Sequence, residues 1–171
     1  HFLYNALEAI QSAALLHGGA KLAGAVGALA TLFRYNVNGG ETVPLAQELE
    51  ITRAYLTLQA LRFQDRIEVI ENIRDEALPL SVMKLILQPI VENAVYHGLE
   101  PKLSAGTLYL SARLEENDLL LCVYDDGVGI PPDTLSRLRQ ALRASGQERP
   151  DAHVGLWNVH HRIRLYYGEP Y

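Results

Sequence analysis

The sequence has one cysteine, one methionine, one tryptophan and three phenylalanines among its 171 residues. A single cysteine excludes an intrachain disulfide, which is weakly typical of a reducing compartment. We expect Cys122 to be buried, because it lies inside the apolar run LLLCVY. The sequence also lacks an excess of basic residues: 15 Lys and Arg stand against 20 Asp and Glu, giving a net charge of −5. That balance argues against nucleic acid as the main partner.

Long apolar runs are absent too. The most apolar stretch is Leu22–Phe33, between Lys21 and Arg34, and it is shorter than the roughly twenty residues that span a membrane. No secretory signal pattern is recognisable at the N-terminus. The chain starts with His1 and not with Met, which predicts a fragment of a longer protein and leaves membrane attachment upstream open. What is present, 49% hydrophobic and 20% charged residues, is typical of a soluble globular protein.

Two helical patterns precede the best linker in the chain. Residues 1–16 carry apolar side chains at helical spacing, Gly18-Gly19 interrupts the pattern, and Lys21–Val37 resumes it. Two such helices joined by a short turn form a helical hairpin. This hairpin is too small to bury a sufficient core alone, so we expect it to pair with a second copy as a four-helix bundle. Asn38-Gly39-Gly40-Glu41 is the predicted linker.

The remainder of the chain predicts alternating helices and strands. In order, we expect an edge strand at 43–45, a helix at 45–64, a strand at 67–73, a helix at 80–97, strands at 107–114 and 119–124 joined by a hairpin turn, and helices at 132–144 and 156–167. The helix at 80–97 is expected to start after Pro79 with Ser81 as its cap.

The segment QPIVENAVYHGL is the strongest candidate for a functional site. It places Glu92, Asn93 and His97 on an otherwise apolar helix, and Asn93 and His97 share a face because they are four residues apart. A polar pair at the rim of an apolar helix suits a ligand pocket. The alternative is an ordinary core helix with exposed polar residues.

The segment DDGVGIPPD, at 125–133, is the second candidate. Gly127 and Gly129 let the backbone approach a ligand closely, because glycine adopts positive φ without steric strain. The carboxylate of Asp125, at the end of a strand, can accept a hydrogen bond from an exocyclic amine such as that of adenine. The alternative is an ordinary Asp-Gly turn.

The segment HVGLWNVHHRIRLYYG, at 153–168, is the third candidate. Gly155 precedes a helix whose N-terminal N–H groups offer an anion site, and Asn158, Arg162 and Arg164 add donors. The alternative is an exposed basic amphipathic helix with its apolar side chains buried.

The order of these motifs resembles the ATP-binding fold shared by gyrase, the heat-shock chaperone ATPase, histidine kinases and MutL. Within that superfamily the chain resembles the LytS-like sensor histidine kinases. HFLYNALEAI is similar to that family's phosphoacceptor motif, and LAQELEITRAYLTLQALRFQDRIEV to the segment between its two domains' motifs. The three segments described above are similar to its nucleotide-binding boxes.

The resemblance implies an α+β chain in two parts. Residues 1–38 would be the dimerising hairpin that carries the phosphoacceptor, and residues 41–171 an α/β sandwich ATP-binding domain with a mixed sheet, whose last strands would lie beyond Tyr171. The implied function is ATP- and Mg²⁺-dependent autophosphorylation, followed by phosphotransfer to an aspartate of a response regulator. The implied setting is a cytoplasmic homodimer, with membrane contact only through upstream segments.

The resemblance also assigns roles to individual residues. His1 would be the phosphoacceptor, Asn93 the Mg²⁺ ligand and Asp125 the residue that binds the adenine amine. The residues that would surround the rest of the nucleotide are Gly127, Gly129, Gly155, Leu156 and Asn158, with His97 and Arg162 as further phosphate neighbours. Asn5 and Glu8 share a helical face with His1 and are the polar candidates for assisting it.

Two other functions stay open at this point. Tyr96 stands where this branch often has Lys, and the second glycine box has a single Gly, so a degenerate nucleotide-binding dimerisation module without kinase turnover is the first alternative. An ATPase of the gyrase or MutL type is the second. It is disfavoured because Pro89 stands where those enzymes carry the Glu that activates water.

Overall fold

The computed structural model describes residues 14, 19–37, 40–63, 66–143 and 154–168. Apart from Ala14, the predicted helix over residues 1–16, with His1, Asn5 and Glu8, lies outside the described residues. The same holds for Asn38 and Gly39 of the predicted linker and for the polar segment 145–153.

Five α-helices and five strands make up the described part of the chain, together with a short 3₁₀ helix (Asp75–Ala77) between the second and third strands. In order they are α1 (Ala20–Val37), β1 (Thr42–Pro44), α2 (Leu45–Phe63), β2 (Ile67–Ile73), β3 (Ser81–Met83), α3 (Gln88–Asn93) with a π-helical turn (Ala94–Leu99), β4 (Gly106–Glu115), β5 (Asp118–Asp125), α4 (Pro132–Arg143) and α5 (Val154–Tyr167). The predicted α+β class is confirmed.

The main sheet is mixed, as predicted, with the strand order β2-β4-β5. Strand β2 pairs in parallel with β4, from Ile67 opposite Gly106 to Ile73 opposite Ala112. Strand β5 pairs antiparallel with the other side of β4. The hairpin between β4 and β5 turns at Glu116, whose φ of 53° lies in the left-handed region that tight turns use.

The helix predicted to start at Leu80 starts at Gln88, so that prediction was wrong over its first two turns. Ser81–Met83 is instead a strand, which pairs antiparallel with Thr42–Pro44. The run VMKLILQPIV is apolar except for Lys84 and Gln88, and periodicity alone does not separate a buried strand from a buried helix in such a run. The strand ends at a turn in which Leu85 has a φ of 59°, a conformation that no helix can include.

The core lies between one face of the main sheet and the helices. Leu45 and Leu49 of α2 pack with Val82 and Met83, while Leu56 and Phe63 further along α2 pack with α3 and β4. Strand β4 supplies its alternate residues, Leu108, Leu110 and Ala112.

Cys122 is exposed, so the prediction that it is buried was wrong. Leu121 and Val123 on either side of it pack against the core. Side chains alternate between the two faces of a strand, and Cys122 therefore lies on the open face of the sheet. The apolar run around it concealed this alternation.

Helix α1 packs along α2. Its Tyr35 is buried near the helix end and contacts the first turn of α2. Among the helices in the described residues, none combines the length and the hydropathy of a membrane span.

Candidate functional site

The α3 segment carries Asn93 at the point where the α-helix becomes a π-helical turn. Val91, Ala94 and Val95 are buried against α2 and the sheet, which leaves Asn93 half-buried and His97 exposed at the rim. Single π-helical turns are frequent at functional sites.

Gly98 and Gly127 bring the end of this turn against the end of β5. A Cβ atom on Gly98 would lie 2.3 Å from Oδ1 of Asp125, and a Cβ on Gly127 would lie 2.3 Å from the carbonyl carbon and oxygen of Gly98. The N–H of Val128 donates to the Gly98 carbonyl at 3.0 Å. Only glycine at both positions allows the helix and the loop after β5 to meet at this distance.

Asp125 therefore lies directly beside the polar helix. Its Oδ1 accepts a hydrogen bond from the N–H of Gly127 at 3.0 Å. No donor in the described part of the chain reaches its Oδ2. One carboxylate oxygen thus holds the loop, and the other keeps its capacity to accept a hydrogen bond from a ligand.

A cleft of about 530 Å³ opens next to this contact. Its volume is in the range of small-molecule sites. Gly129, with a φ of 74°, turns the loop so that it forms one wall, and a Cβ there would meet no atom within 4 Å. The lining residues are His97, Val128, Gly129, Ile130, Pro131, Pro132 and Thr134.

Asp126 and Gly98 are site residues that the sequence analysis did not single out. Asp126 Oδ1 accepts the backbone N–H of Thr107 at 2.8 Å and the Lys102 ammonium at 2.9 Å. It thereby ties the end of β5 to the start of β4. The available signal for Gly98 was a glycine inside a helical pattern, which often marks a close backbone approach.

The Thr107 N–H and then Lys102 lower the pKa of the Asp126 carboxyl below its ordinary value of 3.8. The pKa of this carboxyl is lower in the folded than in the unfolded state. Its ionised form therefore stabilises the fold at a pH above the unfolded-state pKa. This stabilisation is lost as the pH falls through the folded-state pKa. We therefore expect Asp126→Asn to lower the free energy of unfolding at neutral pH, and the difference from wild type to vanish at the acid end. Urea unfolding across that pH range measures it. A difference that does not change with pH would contradict the assignment.

Helix α5 begins close to the start of α3. The nearest atoms to a Cβ built on Gly155 would be the carbonyl oxygen and the Cβ of Pro89, at 3.8 and 4.0 Å. Gly155 and Leu156 therefore lie beside the first residues of α3, and Asn158 is exposed one turn later. The structure thus brings the first and third motifs together at the helix ends.

Arg162 has a different environment from the one its predicted role would suggest. Its guanidinium donates to the carbonyl oxygens of Lys84 at 2.6 Å and Leu85 at 3.2 Å, in the turn before α3. Its role as a phosphate neighbour stays a prediction. Its contacts with backbone carbonyls hold the turn that precedes α3.

Glu92, beside Asn93, is engaged with residues of its own helix and of α2. Its Oε1 accepts the Gln88 side-chain amide at 2.7 Å. Burial raises the pKa of Tyr55 to about 12, and the negative charge of Glu92 contributes to this increase. Glu92 is therefore hydrogen-bonded within α3 and lies near enough to Tyr55 of α2 to influence its charge.

The side chains of the described ranges include no group of three or more His, Cys, Asp or Glu that could hold a metal ion. Mg²⁺ seldom needs such a cage, because it keeps several waters and binds substrate phosphates together with one or two protein oxygens. The half-buried amide of Asn93, one helical turn before the cleft residue His97, fits an ion of that kind.

Two family models match the chain in sequence order. The model described as histidine kinase matches residues 1–67. The model described as histidine kinase-, DNA gyrase B-, and HSP90-like ATPase matches residues 81–170 and so contains all three nucleotide-binding motifs. The chain belongs to this ATPase family. Together the two models confirm the resemblance to the histidine kinases.

Several curated relatives are sensor histidine kinases. The chain is 34% identical to the sensor histidine kinase YpdA of Escherichia coli over 171 residues, which are 99% of this chain and 29% of YpdA. It is 32% identical to the sensor histidine kinase YesM of Bacillus subtilis over 172 residues, covering 100% of this chain and 28% of YesM. It is 31% identical to the sensor protein kinase HptS of Staphylococcus aureus over 170 residues, covering 98% of this chain and 32% of HptS. The chain thus spans about a third or less of the length of these relatives.

Among solved structures, the histidine kinase domain of a blue-light activated histidine kinase from Erythrobacter litoralis aligns with a TM-score of 0.43 and 22% identity. The alignment covers 78% of this chain and 71% of that chain.

Proposed function

We propose that this chain is the kinase core of a two-component sensor, which transfers the γ-phosphoryl group of ATP to His1 and then to an aspartate of a response regulator. The observation that carries the proposal is the contact of Gly98 with Asp125 and Gly127. It joins the polar helix and the glycine loop at one cleft, in a chain that belongs to the histidine kinase-type ATPase family.

Each side of the cleft has a separate role in binding ATP. Asp125 Oδ2 accepts the adenine amine, while Gly127 and Gly129 allow the loop to lie along the nucleotide. Gly155, Leu156 and Asn158 lie at the start of α5, whose N–H groups and helix dipole favour phosphate. When bound, Mg²⁺ neutralises charge on the phosphates, and the Asn93 amide oxygen is the protein group that would hold it.

The phosphoryl transfer itself requires alignment and charge neutralisation from the protein. An imidazole with a pKa near 6.5 carries a lone pair at neutral pH. The lone pair of the His1 ring attacks the γ-phosphorus as the bond to the β–γ bridging oxygen breaks, and ADP leaves. The proposal includes a dimerising hairpin at 1–38, a catalytic domain at 41–171, a receiver domain as partner and a cytoplasmic location.

The proposal is tested by incubating the chain with γ-labelled ATP and Mg²⁺. Label that is acid-labile and alkali-stable is expected in the wild type and is expected to be absent from His1→Gln. The matched control is His17→Gln, a histidine in the same predicted hairpin, which should retain the label.

Other outcomes of this experiment assign other functions. Nucleotide-dependent thermal stabilisation without any phosphohistidine would favour the non-catalytic dimerisation module. Label that survives His1→Gln would overturn the phosphoacceptor assignment.

A further inference from the structure

Glu48 is a buried carboxylate that the proposed reaction does not use. It lies in the first turn of α2 with 1% of its surface exposed. It accepts three consecutive backbone N–H groups from the turn between β3 and α3: those of Leu85 at 2.7 Å, Ile86 at 2.9 Å and Leu87 at 3.1 Å. A buried charge is strongly destabilising unless it is fully hydrogen-bonded, and here both oxygens are engaged with the same turn.

Tyr35 of α1 supplies a fourth donor. Its hydroxyl donates to Oε1 of Glu48, the oxygen that also accepts the Leu85 N–H. Burial, followed by the hydrogen bond to Glu48, raises the pKa of Tyr35, so the hydroxyl remains protonated and remains a donor. The Lys84 ammonium reaches back to the Tyr35 carbonyl oxygen at 2.5 Å and lies 4.5 Å from the centre of the Tyr35 ring.

The turn that these residues hold is strained. Leu85 has a φ of 59°, which is unfavourable for a residue with a Cβ. Its conformation is held from two sides, because Glu48 binds the N–H groups of the turn and Arg162 binds the carbonyl oxygens of Lys84 and Leu85. We call residues 84–87 the clamped turn.

The clamped turn leads directly into α3, the helix that carries Asn93. Its position therefore sets where α3 begins. Three helices converge on it: α1 through Tyr35, α2 through Glu48, and α5 through Arg162. Asp125 lies at the opposite end of the α3 segment, beside Gly98.

We propose that Glu48 is a positioning residue for the phosphate side of the nucleotide site, and that its hydrogen bond to Tyr35 couples helix α1 to the start of α3. Both roles rest on the proposed function, in which α3 carries part of the nucleotide site and α1 belongs to the phosphoacceptor hairpin. A shift of α1 changes the Tyr35–Glu48 bond and, through the clamped turn, the orientation of Asn93. Binding of the base depends on Asp125 and is left unchanged.

Hydrogen exchange of backbone amides tests the clamp without any nucleotide. The variant is Tyr35→Phe, which removes one hydroxyl and keeps the buried ring. Because a hydrogen bond to a charged acceptor is lost, we expect the Leu85–Leu87 amides to exchange about 10-fold faster. The Thr107 amide, which donates to the Asp126 carboxylate, is the internal reference and should not change. Equal exchange of residues 85–87 in variant and wild type would overturn the clamp.

A kinetic comparison separates positioning from a purely structural role. We expect Tyr35→Phe to lower the rate of phosphohistidine formation about 10-fold, since small displacements reduce transfer rates strongly. Its dissociation constant for adenosine, which lacks the phosphates, should stay close to that of the wild type. The control is Tyr109→Phe, an exposed tyrosine on β4. A normal rate in Tyr35→Phe would overturn the coupling.

Glu48→Gln gives a second, stronger test. The amide NH₂ would face the N–H donors that the carboxylate accepts, so exchange at 85–87 should exceed that of Tyr35→Phe. If the wild type forms no phosphohistidine, the proposed function fails, whereas the exchange experiments still decide whether Glu48 and Tyr35 hold the turn.

Discussion

Gly98→Ala is expected to weaken nucleotide binding about 100-fold while leaving the secondary structure in place. The new Cβ would lie 2.3 Å from Oδ1 and 2.8 Å from Cγ of Asp125. The carboxylate would have to move, and its bond to the Gly127 N–H would be lost with its place beside the base. Loss of a charged hydrogen bond at the centre of a site weakens binding by about 100-fold.

Calorimetric titration with ADP measures this effect, and Gly24→Ala is its control. Gly24 lies on α1, where a Cβ would meet no atom within 4 Å. Alanine in a helix interior is more stable than glycine by about 0.5–1 kcal/mol, so this variant should unfold at slightly higher denaturant concentration and bind ADP normally. Normal ADP binding by Gly98→Ala would mean that the nucleotide does not depend on the position of Asp125.

Local patterns predicted the elements whose own residues show a clear periodicity between polar or turn-forming residues. Strand β2 was predicted at its observed bounds, Ile67–Ile73, because it alternates and ends at polar residues. The hairpin of β4 and β5 followed from two apolar runs around a short polar turn. Helix α2 was predicted to within one residue at its C-terminal end.

The errors lie where distant segments decide the structure. Ser81–Met83 forms a strand because Thr42–Pro44 pairs with it, and Glu48 then binds the turn that follows. Neither partner can be deduced from the apolar pattern of residues 80–97 itself. The buried face of β5 is likewise decided by the helices that cover the sheet. The run around Cys122 shows no alternation of polar and apolar residues, and this residue was therefore wrongly predicted to be buried.

The candidate site shows the same division. Its motifs were recognisable because each contains residue types that a nucleotide requires. The contacts that join the motifs were not, because Gly98 meets Gly127, and Asp126 meets Thr107, across long sequence separations. The helix segment between residues 88 and 99 is consequently held at both ends: the clamped turn positions its start, and the Gly98–Gly127 contact positions its end.

Asp125→Asn should change the base preference of the site as well as its affinity. Asparagine has the same shape and can keep its Oδ1 toward the Gly127 N–H, but it then presents an NH₂ group where Asp125 presents Oδ2. The adenine amine would face another donor, and an unsatisfied pair of this kind weakens binding by about 10- to 100-fold. Hypoxanthine carries a carbonyl oxygen in place of that amine and would now find a donor.

The measurement is therefore a comparison of ATP with ITP, in wild type and in Asp125→Asn. We expect the wild type to prefer ATP and the variant to prefer ITP. Asp125→Asn replaces an acceptor of the protein by a donor, and the change from ATP to ITP replaces a donor of the base by an acceptor. The neighbouring substitution Asp126→Asn is the control, since Asp126 binds Thr107 and Lys102 and not the base. That variant should keep the wild-type preference for ATP. Equal weakening of both nucleotides by Asp125→Asn would show that Asp125 supports the loop without reading the base.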